Sequence, residues 1–223
     1  MKVKTRMTPN PITAKPKTTY NEAFRIMREN SIQHLPILDN HDRLVGIVSH
    51  NDMLDAKPSR VTTLSVYEIV SLLDSVTMAQ IMTKPVLAVE EDCSLSNAAR
   101  FMIDQDIGCL PVMRDDKLVG IITDTDLFRT FVEITGGGEP GSRVEVKMPD
   151  EKGQLARITN GFAEAGSYIV SVTLTYDESG EYAYADIKER GGDESKLREE
   201  MKKIGIEIVN FRPTEEDKLL QFS

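Results

Sequence analysis

A seven-residue pattern occurs twice in this chain, as Gly46-Ile47-Val48-Ser49-His50-Asn51-Asp52 and Gly120-Ile121-Ile122-Thr123-Asp124-Thr125-Asp126, 74 positions apart counted from Gly46 to Gly120. Two β-branched residues favour a strand, and the hydroxyl that follows favours a helix N-cap, so each copy predicts a strand that turns directly into a helix. The hydroxyl and the Asp three residues on also have capping-box spacing, in which each satisfies an amide at the helix start. A second use of the same atoms is open: helix-start amides attract an anion, and a carboxylate can accept bonds from two adjacent hydroxyls, as on a ribose. Duplication in register adds weight to that second use.

The flanks repeat as well. His34-Leu35-Pro36-Ile37-Leu38 matches Cys109-Leu110-Pro111-Val112-Met113, and each is followed by a polar turn and then Leu-Val-Gly. Upstream, Met7-Thr8 with Pro11-Ile12 matches Met82-Thr83 with Pro85-Val86, and Thr19 opens a helix carrying Ala23 where Ser94 opens one carrying Ala98. The first of these helices has Glu22 at capping-box distance from Thr19, and Ala23, Ile26 and Met27 form its inward stripe. An internal repeat of one α/β unit therefore accounts for roughly residues 1 to 135.

These residues resemble a tandem pair of CBS domains, in which two β-α-β-β-α units pack face to face about a pseudo-two-fold axis. The resemblance implies adenosine derivatives in the clefts between the units. It places a base against Ile12 and Ile32-Gln33-His34 in one cleft, and against Val86 and Ile107-Gly108-Cys109 in the other, with Pro36 and Pro111 further along the same strands. The ribose would meet Asp52 or Asp126, and phosphates would meet Ser49 with Asn51, or Thr123 with Thr125. Thr8 and Thr83 match the hydroxyl near the start of each family unit, and which Asp serves which cleft stays open because the units exchange strands. His34 is open to two readings, a cleft residue that donates to phosphate when protonated or a satisfied buried histidine.

Between the repeats, Ser65-Val66-Tyr67-Glu68 is another capping box, followed by Ile69, Val70, Leu72 and Leu73 at helical spacing, which predicts a connector helix. The run from Lys57 to Thr83 is similar to the inter-repeat segment of acetoin-utilisation proteins, which implies a role near acetoin metabolism. After the second repeat, Gly136-Gly137-Gly138-Glu139-Pro140-Gly141-Ser142 lacks the Lys that a phosphate-binding loop places before its hydroxyl, so a flexible boundary is expected there.

From Arg143 the periodicity changes. Strands are predicted at Val144–Met148, Tyr168–Tyr176, Glu181–Lys188 and Ile206–Val209, with helices at Gln154–Ala165 and Glu194–Ile204. That order, βαββαβ, is the ferredoxin-like arrangement. With Asp150-Glu151-Lys152-Gly153-Gln154-Leu155 at the first strand-to-helix turn and Gly166 before the second strand, it resembles an ACT domain. The resemblance implies an amino acid held at a dimer interface by Asp150, Lys152, Gly153, Gln154 and Leu155, although the family often has Pro-Gly where this chain has Lys152-Gly153. The expected division is 1–54 and 81–135 for the repeats, 55–80 for the connector, 136–142 for the linker, 143–212 for the C-terminal domain and 213–223 for a tail.

Composition narrows the function classes. A net charge of −9, from 27 Lys and Arg against 36 Asp and Glu, opposes binding to nucleic acid, which depends on clustered basic side chains. A stripe of Lys2, Lys4, Arg6, Lys15 and Lys17 remains as a local means of steering a nucleotide. No apolar run approaches the roughly 18 residues that span a bilayer, and the start lacks the apolar core of a signal peptide, so no membrane and a cytoplasmic location are expected. Cys93 and Cys109 lie in different predicted elements without a CxxC or nearby His, which supports neither a disulfide framework nor a metal site. No base, nucleophile and metal set recurs between the repeats, so no catalytic residue and no redox cofactor are assigned.

The expectation is a regulatory protein, not an enzyme, that senses AMP, ADP, ATP or another adenosine derivative through the repeats. An amino acid or small metabolite would act through the C-terminal domain, in a homodimer that controls a client enzyme. The alternative is a homodimeric scaffold that docks a metabolic enzyme without sensing.

Overall fold

The computed structural model describes residues 1–57 and 73–213. The connector helix expected from Ser65 to Leu72, the acetoin-like run from Pro58 to Leu72 and the tail beyond Pro213 lie outside the described residues. The chain forms two compact units, Met1–Phe128 and Arg129 onward.

In the first unit each repeat is a helix followed by a two-stranded hairpin and a second helix. The first has α1 (Tyr20–Glu29), β2 (His34–Leu38), β3 (Leu44–Ser49) and α2 (His50–Asp55), and the second has α4 (Leu95–Gln105), β5 (Cys109–Arg114), β6 (Lys117–Thr123) and α5 (Asp124–Ile134). Short pieces precede each copy: β1 (Thr8–Pro9) before the first, α3 (Met78–Ile81) and β4 (Val89–Glu90) before the second. The capping box at Thr19 forms as the sequence implies, with Glu22 accepting from Thr19 N at 3.0 Å and Glu22 N donating to Thr19 Oγ1 at 3.4 Å.

The repeats exchange their leading segments. Thr8 and Pro9 pair antiparallel with Ile121 and Gly120 of the second repeat, while Thr83 pairs with Ile47 of the first through Thr83 N to Ile47 O at 2.9 Å. Val3 is buried in the core built by Leu95, Ala98, Leu110, Val112 and Ile122. Met78 is buried in the core of Tyr20, Ala23, Leu35, Ile37 and Val48. This crossing explains the repeated Gly of the opening pattern: a Cβ on Gly120 would run into the sulfur of Met7, and one on Gly46 into the side chain of Met82. Each Gly is therefore the seat of a Met carried in from the other repeat's sequence.

In the second unit, β7 (Ser142–Pro149), α6 (Gln154–Glu164), β8 (Tyr168–Tyr176), β9 (Tyr182–Arg190), α7 (Glu194–Lys203) and β10 (Glu207–Pro213) form a fully antiparallel sheet in the order β10-β7-β9-β8. Counted within the domain that order is 4-1-3-2, the ferredoxin-like topology. Val144, Val146 and Ile187 of the sheet bury against Ile158, Phe162 and Leu197 of the helices, because alternate strand positions point to one face.

The glycine run opens with a turn that closes α5. Gly137 N donates to Val132 O at 2.8 Å, closing α5, and a Cβ on Gly136 would lie 3.0 Å from Lys188 Cγ. Gly136 and Gly138 take φ of +69° and +84°, the left-handed region that a side chain disfavours.

Candidate functional site

Both helix starts are built as capping boxes. Asp52 Oδ2 accepts from Ser49 N at 2.6 Å and Ser49 Oγ at 2.7 Å, and Asp52 N donates back to Ser49 Oγ at 3.1 Å. Asp126 Oδ2 accepts from Thr123 N at 2.9 Å and Thr123 Oγ1 at 2.8 Å, and Asp126 N donates to Thr123 Oγ1 at 3.3 Å. The residue after each hydroxyl ties the helix to the preceding strand: His50 N donates to Gln33 O at 2.9 Å and Asp124 N to Gly108 O at 3.0 Å.

Capping does not fill the space beside these turns. One cavity of about 260 Å³ is lined by Ser49, Asn51 and Asp52 with Ile47, His34 and Thr83, and on its other side by Asp106, Ile107, Gly108 and Cys109. A second, of about 310 Å³, is lined by Thr123, Asp124, Thr125 and Asp126 with Ile121 and Thr8, and opposite them by Ser31, Ile32, Gln33 and His34. Each cleft thus joins the helix start of one repeat to the strand entry of the other, and the volumes lie near the lower end of the roughly 300–1,000 Å³ of small-molecule sites. Asp52 stands in the cleft with Ile107-Gly108-Cys109, and Asp126 in the cleft with Ile32-Gln33-His34.

Four of the residues singled out from the sequence line neither cavity. Pro36 and Pro111 are buried two positions deeper along β2 and β5, Ile12 is 40% exposed, and Val86 is half-buried. Conversely, Ser31, Ile47, Asp106, Ile121 and Asp124 line the clefts without having been singled out. A signal for them exists. Ile47 and Ile121 lie two residues before the capping hydroxyls, on the same strand face, and Ser31 and Asp106 are matching helix ends with φ of 53° and 52°.

His34 borders both clefts. Burial lowers its imidazole below the ordinary histidine value, with Asp124 and Asp52 pulling the other way. Burial, assisted by Asp124 and Asp126, pushes the Cys109 thiol up to about 12, which keeps it protonated and unreactive as a nucleophile. Three members of the basic stripe lie against the protein's own carboxylates: Lys2 and Lys4 reach Asp92 at 2.9 and 2.8 Å, and Lys15 reaches Asp42 at 3.0 Å.

Among the described residues no group of three or more His, Cys, Asp or Glu is placed to hold a metal ion, and no helix is long and apolar enough to cross a membrane. In the C-terminal domain Asp150, Lys152 and Gly153 are exposed at the start of α6, and Leu155 is 38% exposed. Gln154 is buried and engaged internally, accepting from Arg157 Nη1 at 3.1 Å and donating to Glu151 Oε2 at 3.3 Å.

Duplicated β-α-β-β-α units with exchanged leading strands and paired clefts define a tandem α/β architecture of the CBS type. The family model for the CBS domain matches residues 3–59 and 78–133, just over half of the chain, and the chain belongs to that family. It is similar to the chloroplastic CBS domain-containing protein CBSX1 of Arabidopsis thaliana, with 31% identity over 143 residues, 56% of this chain and 61% of that protein. An inosine-5′-monophosphate dehydrogenase of Methanocaldococcus jannaschii is 32% identical over 121 residues, 53% of this chain and 21% of the enzyme. The chain thus spans less than two thirds of either relative. Among solved structures, a candidate acetoin utilization protein (AcuB) from Vibrio cholerae is 35% identical with a TM-score of 0.51, covering 63% of this chain and 98% of that one.

Proposed function

We propose that this chain is a regulatory sensor of an adenosine-derived small molecule, without catalysis of its own, and that the ligand occupies the two clefts of the CBS pair. The observation that carries the reading is the open space beside Asp52 and Asp126: both carboxylates cap their helices, yet cavities of about 260 and 310 Å³ remain next to them. In each, the base lies against the strand entry of one repeat, Ile107-Gly108-Cys109 or Ile32-Gln33-His34. The ribose hydroxyls bond to the Asp of the other repeat, and the 5′ end of the ligand lies toward Asn51 or Thr125. Thr83 and Thr8 supply further hydroxyls.

The ferredoxin-like domain, on its resemblance to ACT domains, adds an amino acid or small metabolite at the Asp150–Leu155 turn, and a homodimer contact. Similarity to AcuB supports a client in acetoin utilisation, and the dehydrogenase relative illustrates that such pairs accompany enzymes. Regulation requires the ligand to bind one arrangement of the protein better than another, because equal affinity shifts nothing.

A thermal-shift screen of adenosine, AMP, ADP, ATP, S-adenosylmethionine and amino acids tests this reading, since a ligand of the native state raises its stability by mass action. A concentration-dependent rise with at least one adenosine derivative is expected. No rise with any of them would leave the scaffold alternative.

A further inference from the structure

The nucleoside reading leaves open what the ligand carries at its 5′ end, and the second helix start bears on that point. Asp124 Oδ1 accepts from the amide of Thr125 at 2.6 Å and from its hydroxyl at 3.2 Å. The amide that an incoming anion would use is therefore already occupied by a carboxylate of the protein. Asp126 takes the Thr123 amide in the same way, so two acidic side chains stand on one wall of the larger cleft. Asp52 and Asp106 give the smaller cleft its own pair. His34, between them, is held toward neutrality by burial and offsets neither. Among the described residues the linings include no Lys or Arg; Arg28 lines an adjoining hollow that shares Ser31, Ile32 and Gln33 with the larger cleft.

We infer, on the proposal that the clefts hold an adenosine derivative, that they select a nucleoside whose 5′ substituent is uncharged or positively charged, and that Asp124 sets this preference by excluding 5′-phosphates. Like charges brought together at a cleft wall repel even where, as at Asp124, the carboxylate is exposed, and specificity is commonly built from such an unfavourable contact. The device is one-sided. The matching position in the first repeat is His50, so the cleft that holds Thr125 excludes phosphate more strongly than its counterpart.

The test is calorimetric titration of the full chain at low ionic strength with adenosine, S-adenosylmethionine, AMP and ATP. Adenosine and S-adenosylmethionine, whose 5′ sulfonium is positive, bind at least tenfold more tightly than AMP, and ATP binds more weakly still. Added salt narrows the gap because it screens the repulsion. Asp124→Asn keeps an oxygen acceptor for Thr125 while removing the charge, and it narrows the adenosine-to-AMP ratio severalfold. AMP or ATP binding at least as tightly as adenosine overturns the inference while leaving the nucleoside reading intact, and would direct attention to Arg28. An unchanged ratio in Asp124→Asn overturns the role of that residue. Absence of binding by all four probes overturns the nucleoside reading and the inference with it.

Discussion

Asp52 and Asp126 cap their helices, and the proposed function gives each a second task at the ribose of the ligand. In the cap, Asp52 accepts on Oδ2, from Ser49 N and Oγ, and Asp52 also lines the cleft. Asp52→Ala and Asp126→Ala are each expected to weaken binding of an adenosine derivative by about 1 to 3 kcal/mol, roughly five- to 150-fold in Kd, because buried ribose hydroxyls lose an acceptor. Unchanged affinity in both variants would remove the ribose role. His34 gives a pH signature. Its folded value is lowered below the 6.5 of an ordinary histidine, so the unfolded chain binds more protons between the two values. Its contribution is thus present above pH 6.5 and lost as pH falls through that window toward the lowered folded value. The melting temperature is expected to drop over the range, and His34→Gln to flatten the drop; an identical slope in the variant would show that other groups set it. Gly108, read from the sequence as a base contact, has a packing reason as well: a Cβ there would stand 3.0 Å from Asp124 Oδ2.

At the scale of elements, the strand-to-helix turns were legible because their chemistry is local. A hydroxyl with an acid three residues on makes its own hydrogen bonds wherever the chain goes, and both boxes form as that spacing implies. The assignment of helix start to strand entry was not legible. It follows from Thr8 pairing with Ile121 and Thr83 with Ile47, contacts between residues far apart in the chain, which no local periodicity encodes. The same crossing predicts where the unit is least tolerant of added volume. Gly46→Ala and Gly120→Ala place a methyl against Met82 and Met7, and overpacking of that kind costs about 1 to 3 kcal/mol. Denaturant midpoints of the two variants check this. Wild-type stability in both would mean that the methionines are not held over the glycines.

Over the whole molecule, the repeat in the sequence implied a pair of related α/β units, and the periodicity after Arg143 implied a βαββαβ domain; both architectures are present. The glycine run shows what composition leaves out. Composition reports how freely a chain can turn, whereas the Gly136 turn is held by what it packs on, Val170 and Lys188. The account rests on clefts that both repeats build and neither could form alone. Calorimetric titration of the intact chain with adenosine tests it most directly. Saturable binding of up to two molecules per chain is the predicted result, and a folded chain that takes up no adenosine derivative at millimolar concentration would contradict it.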